Sequence, residues 1–391
     1  MLPLSSSVPS GTSRQIVHFD LDTFFVSVER LQDSRLEGWP VIVGGSSERG
    51  VVASCSYEAR RCGVHSGMAM AMARRLCPEA VVLRGDHSLY RKYSETVAEI
   101  IGARAPLYEQ ASVDEFYLDM TGMDRFFGTL RWTRELRAEI TRETGLPLSF
   151  GLSVNKTVSK IATSEAKPAG GLTVPAERIH PFLDPLPVRK IPMVGLKSYR
   201  LLRSMGVERI ATLRAIPPEL LQQLLGKNGL LLWKKANGID ERPVLNERLR
   251  KSIGTERTFD RDTADASFLL STLVKMTGKS AYELRRRGRV ASLVAVKIRY
   301  SDFETHTLQK KIPYTAFDHT LTATAKELFR RLYTRRVRVR LLGVRLGGLA
   351  PGTQQLSLFG DDPKMARLYQ AMDHLRDKYG TGTIGMLNVE L

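Results

Sequence analysis

The amino-acid sequence predicts an α/β protein built from several domains, and three observations support this fold class. The chain has 391 residues, which exceeds the size at which a single hydrophobic core stops growing. Short apolar stretches alternate with helical patterns from residue 15 to about residue 120. A proline-rich stretch at 174–192 and a charged stretch at 241–252 interrupt the pattern, so we expect domain boundaries there.

The predicted elements differ between the two parts of the chain. The first part contains strands at 15–21, 39–45 and 49–57, a hairpin of two strands at 107–120, an amphipathic helix at 132–145 that ends at Gly145, and a strand at 148–154. Short helices with glycine breaks follow at 193–240. Residues 253–349 alternate strand, helix, strand, strand, helix, strand, and a last helical segment covers 363–380.

The composition is ordinary for a globular protein in water, with 42% hydrophobic and 26% charged residues. No run of 18 apolar residues is present, so we expect no membrane span. Residues 1–14 lack a basic start followed by an apolar core, which predicts a disordered tail rather than a secretory signal. The three cysteines form no C-x-x-C motif and have no nearby histidine pair, so the sequence supports neither a zinc site nor a disulfide framework and fits a reducing cytoplasm.

The positive charge is concentrated in one part of the chain. The net charge is +18, and the isoelectric point of about 9.9 favours a polyanionic partner. Residues 241–350 contain 24 Lys and Arg residues and 11 Asp and Glu residues, a net charge of 24 − 11 = +13, so the other 281 residues share a net charge of +5. Two clusters of basic residues lie at 282–289 and 329–340, and they form either solvated helix faces or contacts to nucleic-acid phosphates.

The first strand carries an unusual pair of carboxylates near its end. The period of two places Ile16, His18, Asp20 and Asp22 on one face of the strand. A carboxylate in this position needs a route to solvent or a cation. Asp22 has a local alternative, because it stands where the helix 23–31 begins and is a candidate N-cap. Asp20 has no such local use.

A second acidic pair lies in the predicted hairpin. Asp114 and Glu115 are adjacent, so both can serve one site only if they lie on the bend; an ordinary acidic turn is the alternative. Three carboxylates from two neighbouring strands suit hard divalent cations. Two such ions about 3.5–4 Å apart hold the attacking and leaving oxygens of a phosphoryl transfer.

Basic side chains that could bind phosphate occur in two stretches. These residues are Tyr57, Arg60 and Arg61 after the third strand, and Lys156, Lys160 and Lys167 within 155–171. Arginine offers paired hydrogen bonds to phosphate oxygens. Each basic residue alone is more consistent with a surface charge, but together with an acidic metal site they indicate a bound triphosphate.

Four stretches in this order resemble the Y-family translesion DNA polymerases, and within them the DinB branch, which contains DNA polymerase IV. The stretches are FDLDTFFVSVE (19–29), SYEARRCGVHSGM (56–68), SVDEFYLDM (112–120) and GLSVNKTVSKIATSEAKPAGG (151–171). The resemblance extends from residue 15 to about residue 350. It implies a right-hand polymerase with an α+β palm, small fingers, a helical thumb with a helix-hairpin-helix, and an α+β little finger.

The resemblance also implies how the chain is divided. The expected ranges are a disordered tail at 1–14, palm at 15–27 and 87–174, fingers at 28–86, thumb at 175–241, a linker at 242–251, a little finger at 252–349, and a C-terminal tail at 350–391. The thumb hairpin would lie in 191–207, where Met193 stands at a position that is commonly glycine in the family.

The resemblance implies specific site residues. The catalytic, metal-binding carboxylates would be Asp20, Asp114 and Glu115, with the Leu21 carbonyl as a further ligand, for two Mg²⁺ ions or alternatively Mn²⁺. The nucleotide-binding residues would be Phe24, Phe25, Ser54, Tyr57, Arg60 and Lys167, with Phe25 as the steric gate against a 2′-hydroxyl. Val51 and residues 66–68 would form the finger segment over the nascent base pair.

A short apolar peptide after the little finger resembles a bacterial sliding-clamp binding motif. Its residues are Gln355, Leu356, Leu358 and Phe359, and the alternative is an apolar turn that packs on the domain. The partners implied are therefore primer–template DNA, deoxynucleoside triphosphates and the sliding clamp. We expect a monomer without membrane attachment, cytoplasmic in a bacterium and associated with the nucleoid when engaged.

These features lead to one functional hypothesis and two alternatives. The hypothesis is a DNA-directed DNA polymerase that copies damaged templates with low fidelity by two-metal nucleotidyl transfer, without proofreading because no exonuclease carboxylate block is evident. A non-catalytic polymerase-like adaptor for DNA and the clamp is the first alternative, and the intact carboxylates argue against it. A nucleotidyl cyclase is the second, and it explains neither the basic region nor the clamp peptide.

Overall fold

The computed structural model divides into two compact units, Met1–Arg248 and Leu249–Leu391, and each is described by itself. It describes residues 14–45, 47, 49–123, 128–246, 250–352, 363–380 and 383–384. Among these residues, no helix combines the length and the apolar character needed to cross a membrane. The segment 355–359, which carries the predicted clamp peptide, lies outside the described residues.

The first unit alternates strands and helices before it becomes helical. Its strands are β1 Ile16–Leu21, β2 Val41–Gly44, β3 Val52–Cys55, β4 Val81–Leu83, β5 Tyr108–Gln110, β6 Glu115–Asp119, β7 Leu148–Ser153 and β8 Gly171–Thr173. Its helices are α1 Phe24–Gln32, α2 Tyr57–Arg61, α3 Met70–Leu76, α4 His87–Arg104, α5 Thr129–Thr144, α6 Lys156–Ala166, α7 Ile179–Leu183, α8 Leu196–Ser204, α9 Ile210–Ala215, α10 Pro218–Leu225 and α11 Lys227–Ala236.

The larger sheet of this unit has the strand order β5-β6-β1-β7-β8. The first strand of the chain is therefore central, and it pairs antiparallel with both β6 and β7. Alternate residues of β1, with α1, α4 and α5, bury one continuous apolar core. Helix α5 ends at Gly145 in the left-handed conformation, as predicted, and the hairpin predicted at 107–120 is confirmed as β5 and β6.

A smaller sheet with the order β3-β2-β4 forms its own core with α2 and α3. Farther along the chain, the short helices α7 to α11 bury a third core together with apolar residues of α6. The turn before α8 contains Met193 with a φ of 83°, in the left-handed region that favours glycine, and its side chain is 67% exposed. The position therefore has the conformation for which the family commonly uses glycine.

The second unit contains β9 Ser252–Thr263, α12 Ala266–Arg286, β10 Arg289–Tyr300, β11 Thr305–Thr315, α13 Asp318–Leu332, β12 Val339–Pro351 and α14 Pro363–Tyr379. This order confirms the alternation predicted for 253–349 and the last helical segment. The strands form one antiparallel sheet in the order β11-β10-β12-β9. Helices α12 and α13 cover one face of it, where alternate strand residues are buried.

Helix α14 packs on the second unit through both apolar and charged contacts. Tyr369 is buried against Phe317, with ring centroids 5.5 Å apart. The Arg285 guanidinium donates to both Asp373 carboxylate oxygens at 2.6 and 2.9 Å and to Asp318 at 2.5 Å. Such paired, charge-assisted bonds fix orientation as well as position. Residues 363–379, which follow β12 in the chain, are thus held against the rest of the second unit.

Candidate active site

The predicted carboxylates meet where β1 ends. Asp20 in β1 stands directly opposite Glu115, the first residue of β6. The next residue of β1, Leu21, donates its backbone N–H to the Asp114 carbonyl at 3.0 Å. Asp114 therefore lies on the hairpin bend, which is the condition under which adjacent acidic residues can face one site. The structure brings Asp20, Asp114 and Glu115 together from two neighbouring strands.

Ser112 holds the shape of this bend. Its hydroxyl donates to an Asp114 carboxylate oxygen at 2.5 Å. The same oxygen of Ser112 accepts the backbone N–H of Glu115 at 3.1 Å. Local side-chain hydrogen bonds of this kind favour a turn over a continued strand. The two acidic residues are consequently presented from a fixed bend.

Two lysines approach the carboxylates from α6 and its end. The Asn155 side chain caps this helix by accepting the Val158 N–H at 3.0 Å. One turn later, Lys160 donates to both Glu115 carboxylate oxygens at 2.6 and 2.5 Å. The helix ends at Ala166, so Lys167 reaches Asp20 from extended backbone rather than from the face that carries Lys160.

Burial and charge determine the protonation of the two paired carboxylates. Burial raises the pKa of Asp20 to about 6, against the opposing effect of Lys167 and with a smaller contribution from Asp114 and Glu115. For Glu115, burial acts in the same direction, but the nearby His18 ring and the hydrogen-bonded Lys160 ammonium outweigh it and place the pKa at about 2. Glu115 is therefore ionised at neutral pH.

His18 lies beneath this site and was not predicted as part of it. Its ring is completely buried, with Nε2 3.9 Å from Glu115 Oε2 and Nδ1 hydrogen-bonded to the Thr163 hydroxyl at 2.8 Å. Burial lowers the pKa of the imidazole, which favours the neutral ring. The strand period that placed His18 and Asp20 on one face was the signal that could have identified it.

The N-cap interpretation of Asp22 is wrong. Thr23, in the left-handed conformation, occupies the N-cap position of α1, and no side-chain cap bond is formed there. Asp22 is buried, and its carboxylate accepts the Ser149 hydroxyl at 2.8 Å and the Ala169 N–H at 2.6 Å. It thereby fastens the segment after α6, which carries Lys167, to the sheet. Its partners lie more than 100 residues away, so local pattern could not reveal them.

Lys156 is not available to phosphate, contrary to its grouping with Lys160 and Lys167. Its side chain is 4% exposed and forms an ion pair with Glu109, whose side chain is 2% exposed. A Glu109 carboxylate oxygen also accepts the Leu245 N–H at 2.9 Å. A buried pair of this kind is structural, because exchange of the ammonium for a ligand would leave Glu109 without its counter-charge.

Two of the predicted nucleotide-binding side chains, Tyr57 and Arg60, lie on α2. The helix begins at Ser56, whose side chain accepts the Ala59 N–H at 3.3 Å. The Arg60 guanidinium lies 5.0 Å from the centre of the Tyr57 ring. Burial and the nearby Asp22 carboxylate raise the pKa of Tyr57 to about 12, and its hydroxyl has no hydrogen-bond partner among the described residues. Tyr57 therefore offers a free polar group beside the carboxylates.

The two phenylalanines after Asp22 have different environments. The Phe24 ring is buried in the core of the larger sheet, so only its backbone could reach a nucleotide. Phe25 is only partly buried, and its ring stacks on Tyr90 with centroids 4.3 Å apart and an interplanar angle of 13°. The Tyr90 hydroxyl donates to Glu29. The Phe25 ring is thus supported from one side and accessible from another.

The remaining predicted contacts lie in the smaller sheet. Val51 is exposed and forms an isolated bridge with Ala69, while Val52 N–H donates to the Met68 carbonyl at 2.9 Å. The structure therefore brings the 66–69 segment beside Val51 and Val52, and the role of this segment over a nascent base pair stays a prediction. Ser54 is buried within β3, opposite Val43.

The donor set suits a hard divalent cation. Asp20, Asp114 and Glu115 offer carboxylate oxygens, the ligands that Mg²⁺ prefers in proteins. Asp22 Oδ1 is buried without a hydrogen-bond partner among the described residues and lies 3.5 Å from the Lys167 ammonium, so this group of carboxylates needs positive charge beside it. The ammonium groups of Lys160 and Lys167 already satisfy part of that need. The residues present therefore fit the implied metal.

Known proteins share both the sequence and the fold. The impB/mucB/samB family model matches residues 19–164, and the model of that family's C-terminal domain matches residues 250–358. A DNA polymerase IV of Dehalococcoides mccartyi strain CBDB1 is 39% identical, over 95% of this chain and 96% of that relative. A DNA polymerase IV of Halorhodospira halophila is 40% identical, over 89% of this chain and 99% of that relative.

A solved Y-family DNA polymerase chimera of Dbh and Dpo4 matches with a TM-score of 0.76 and 26% identity, over 86% of this chain and all of that structure. The mixed α/β units and the acidic strand end thus define a right-hand DNA-directed DNA polymerase, which confirms the predicted fold class. The chain belongs to the Y family of these enzymes, in the DNA polymerase IV branch.

Proposed function

We propose that this polymerase carries out low-fidelity translesion synthesis, copying past damaged template bases by two-metal nucleotidyl transfer without proofreading. The observation that carries the proposal is the meeting of Asp20, Asp114 and Glu115 at the end of β1, beside Tyr57 and Lys167. We assign the palm, fingers, thumb and little finger to the residue ranges predicted from the sequence.

Asp20, Asp114, Glu115 and the Leu21 carbonyl would hold two Mg²⁺ ions. When bound, such ions polarise the phosphate oxygens and stabilise the charge that develops during an in-line displacement. The lysines are well placed to contact phosphate once a cation takes over their carboxylates, because Lys167 and Lys160 are tethered within reach of the same oxygens. The chain itself supplies alignment and fixed charge.

The incoming triphosphate would lie between α2 and the start of α1. Tyr57 and Arg60 supply a hydroxyl and a guanidinium on one helix. The first backbone N–H groups of α1, at Phe24 and Phe25, receive no side-chain cap from Thr23, and uncapped N–H groups at a helix start attract anions. Phe25, stacked on Tyr90, would then lie beneath the sugar and exclude a 2′-hydroxyl.

The second unit offers a surface for the DNA backbone. Lys297 and Arg299 alternate with core residues of β10, so they lie on the sheet face opposite α12 and α13. Exposed Arg345 on the neighbouring β12 belongs to the same face, opposite Ala295 of β10. This positive face supports non-specific phosphate contact, whose strength falls as salt concentration rises.

The bacterial sliding clamp is the proposed protein partner. The supporting residues are Gln355, Leu356, Leu358 and Phe359, through the resemblance of their peptide to clamp-binding motifs. The peptide lies between β12 and the anchored helix α14, so it is not a free chain end. We propose that the protein acts as a monomer on DNA in the bacterial cytoplasm.

Primer extension with Mg²⁺ on undamaged and lesion-containing templates tests the proposal. We expect extension on both, and no 3′-to-5′ removal of a mismatched primer end. Asp114→Ala should abolish extension and preserve primer–template binding. DNA binding without extension by the unaltered protein would overturn the proposal and support the adaptor, whereas extension that always stops at lesions would overturn the translesion assignment alone.

A further inference from the structure

Two cysteines and a glutamate meet in the first unit, away from the carboxylates described above. Cys62 follows α2 and Cys77 follows α3, fifteen residues apart in sequence. The Cys77 thiol lies 3.3 Å and the Cys62 thiol 3.6 Å from the same carboxylate oxygen of Glu79. All three side chains place a possible ligand atom within 4.8 Å of one another.

The donor types indicate which ligand the cluster would take. Two sulfurs and one carboxylate oxygen form a set that borderline and soft divalent cations prefer, with Zn²⁺ the commonest example. Hard cations such as Mg²⁺ select oxygen ligands instead. Sites with three protein ligands keep a fourth position for water, and partly exposed Cys62 and exposed Glu79 leave the cluster open to solvent.

The carboxylate favours a metal over a disulfide. The same Glu79 oxygen is within hydrogen-bond distance of both thiols, although the Cys62 thiol also lies 3.7 Å from the Glu58 carbonyl. A metal ion would replace the thiol protons while using the same three atoms. A disulfide would have no proton to donate and would leave the carboxylate without either contact.

We propose that Cys62, Cys77 and Glu79 form a binding site for a divalent cation of the Zn²⁺ class, with water as the fourth ligand. Binding releases the two thiol protons. The ion joins the ends of α2 and α3, and α2 carries Tyr57 and Arg60. Occupancy of this site would therefore stiffen the helix from which the polymerase contacts its nucleotide.

A charge-transfer titration tests the site directly. The full-length protein is freed of metal with a chelator, kept reduced with a thiol-free reductant, and titrated with Co²⁺ and separately with Cd²⁺. We expect a thiolate-to-metal absorption band that saturates at one equivalent. Oxygen-only sites such as the catalytic carboxylates give no such band, so ions bound there do not interfere.

Three variants identify the residues that produce the absorption band. Cys62→Ser should eliminate it, and Glu79→Gln should shift the titration to weaker binding. Cys55→Ser is the matched control, because Cys55 is buried in the same core and its thiol donates to the Val64 carbonyl at 3.5 Å rather than to Glu79. This control should keep the full band.

The proposal is overturned by three outcomes: no band in the unaltered protein, a band that Cys62→Ser retains, or saturation at half an equivalent, which would indicate one ion bridging two chains. Circular dichroism establishes that each variant is folded before it is titrated. Cys62 is the preferred target because it is partly exposed, so serine there leaves the buried Cys77 packing intact.

Discussion

Two lysines one turn apart on α6 form ion pairs with opposite properties. Lys156 and its partner Glu109 are almost completely buried, and neither has access to a ligand. Lys160, four residues later, keeps about a third of its side chain exposed while it binds Glu115 at the end of β6. The residue types are the same in both pairs, so solvent access alone separates them.

The comparison shows how one helix carries both a buried structural ion pair and an accessible ion pair at the candidate active site. A buried pair is costly to break, because the remaining charge cannot be solvated. A partly exposed pair can exchange its ammonium for another cation at little cost. Phe24 and Phe25 repeat this division on α1, with one ring in the core and its neighbour accessible.

The largest expected effect comes from Glu115→Gln at the accessible pair. We expect primer extension to fall by about 1000-fold or more, because the loss of one metal ligand removes several kcal/mol of transition-state stabilisation. Single-turnover extension measures the rate. Tryptophan fluorescence in urea is the control, since all three tryptophans lie in the first unit, and a large drop in its unfolding midpoint would mean that Glu115 is structural instead.

The buried pair should give the opposite result. Lys156→Met leaves Glu109 buried without its ammonium, which should lower the free energy of unfolding by about 3–5 kcal/mol. Urea unfolding followed by tryptophan fluorescence measures the change. Lys156→Met combined with Glu109→Leu should recover much of the lost free energy of unfolding, because two apolar side chains leave no unpaired charge in the interior. A stable single variant with impaired extension would contradict the comparison.

The phenylalanines extend the test to apolar side chains. Phe25→Val should raise ribonucleotide insertion relative to deoxyribonucleotide insertion on the order of 10- to 100-fold, the range expected when a pocket loses a steric contact. Competitive single-nucleotide insertion measures the ratio. Phe24→Leu, in the core, should leave sugar discrimination unchanged and cost about 1 kcal/mol of stability. Equal discrimination by both variants would remove the distinction between the rings.

The smallest expected effect is on protein stability, at the exposed residue Met193. Met193→Gly should stabilise the first unit by about 1 kcal/mol, because glycine relieves the left-handed strain but loses some entropy on folding. Met193→Ala removes the same exposed side chain and keeps the strain, so it should be close to neutral. If alanine stabilises as much as glycine, the side chain rather than the backbone is responsible.

The sequence pointed to the end of β1 as a candidate site because its signals were local. The period of β1 placed Asp20 on one face with His18 and Asp22, and the predicted hairpin allowed Asp114 and Glu115 to share a site if they lay on its bend. Gly145 likewise marked the end of α5, since a left-handed residue terminates a helix. Such patterns need no knowledge of distant partners.

Other roles depended on contacts that the sequence does not encode locally. Asp22 was assigned to a helix cap because its real partners, Ser149 and Ala169, are 127 and 147 residues away. Lys156 and Lys160 could not be told apart, because only the fold shows which one meets a buried carboxylate. Cys62 and Cys77 fit no spacing motif, yet their helices end side by side.

The central position of β1 has a consequence for synthesis of the chain. This strand leaves the ribosome before its neighbours β6 and β7, which begin at Glu115 and Leu148. Both of its edges therefore remain unpaired while roughly a hundred further residues are translated at about 5–20 residues per second. An unpaired apolar strand readily joins another chain. Nascent copies should accordingly depend on chaperone binding for several seconds before the catalytic carboxylates can meet.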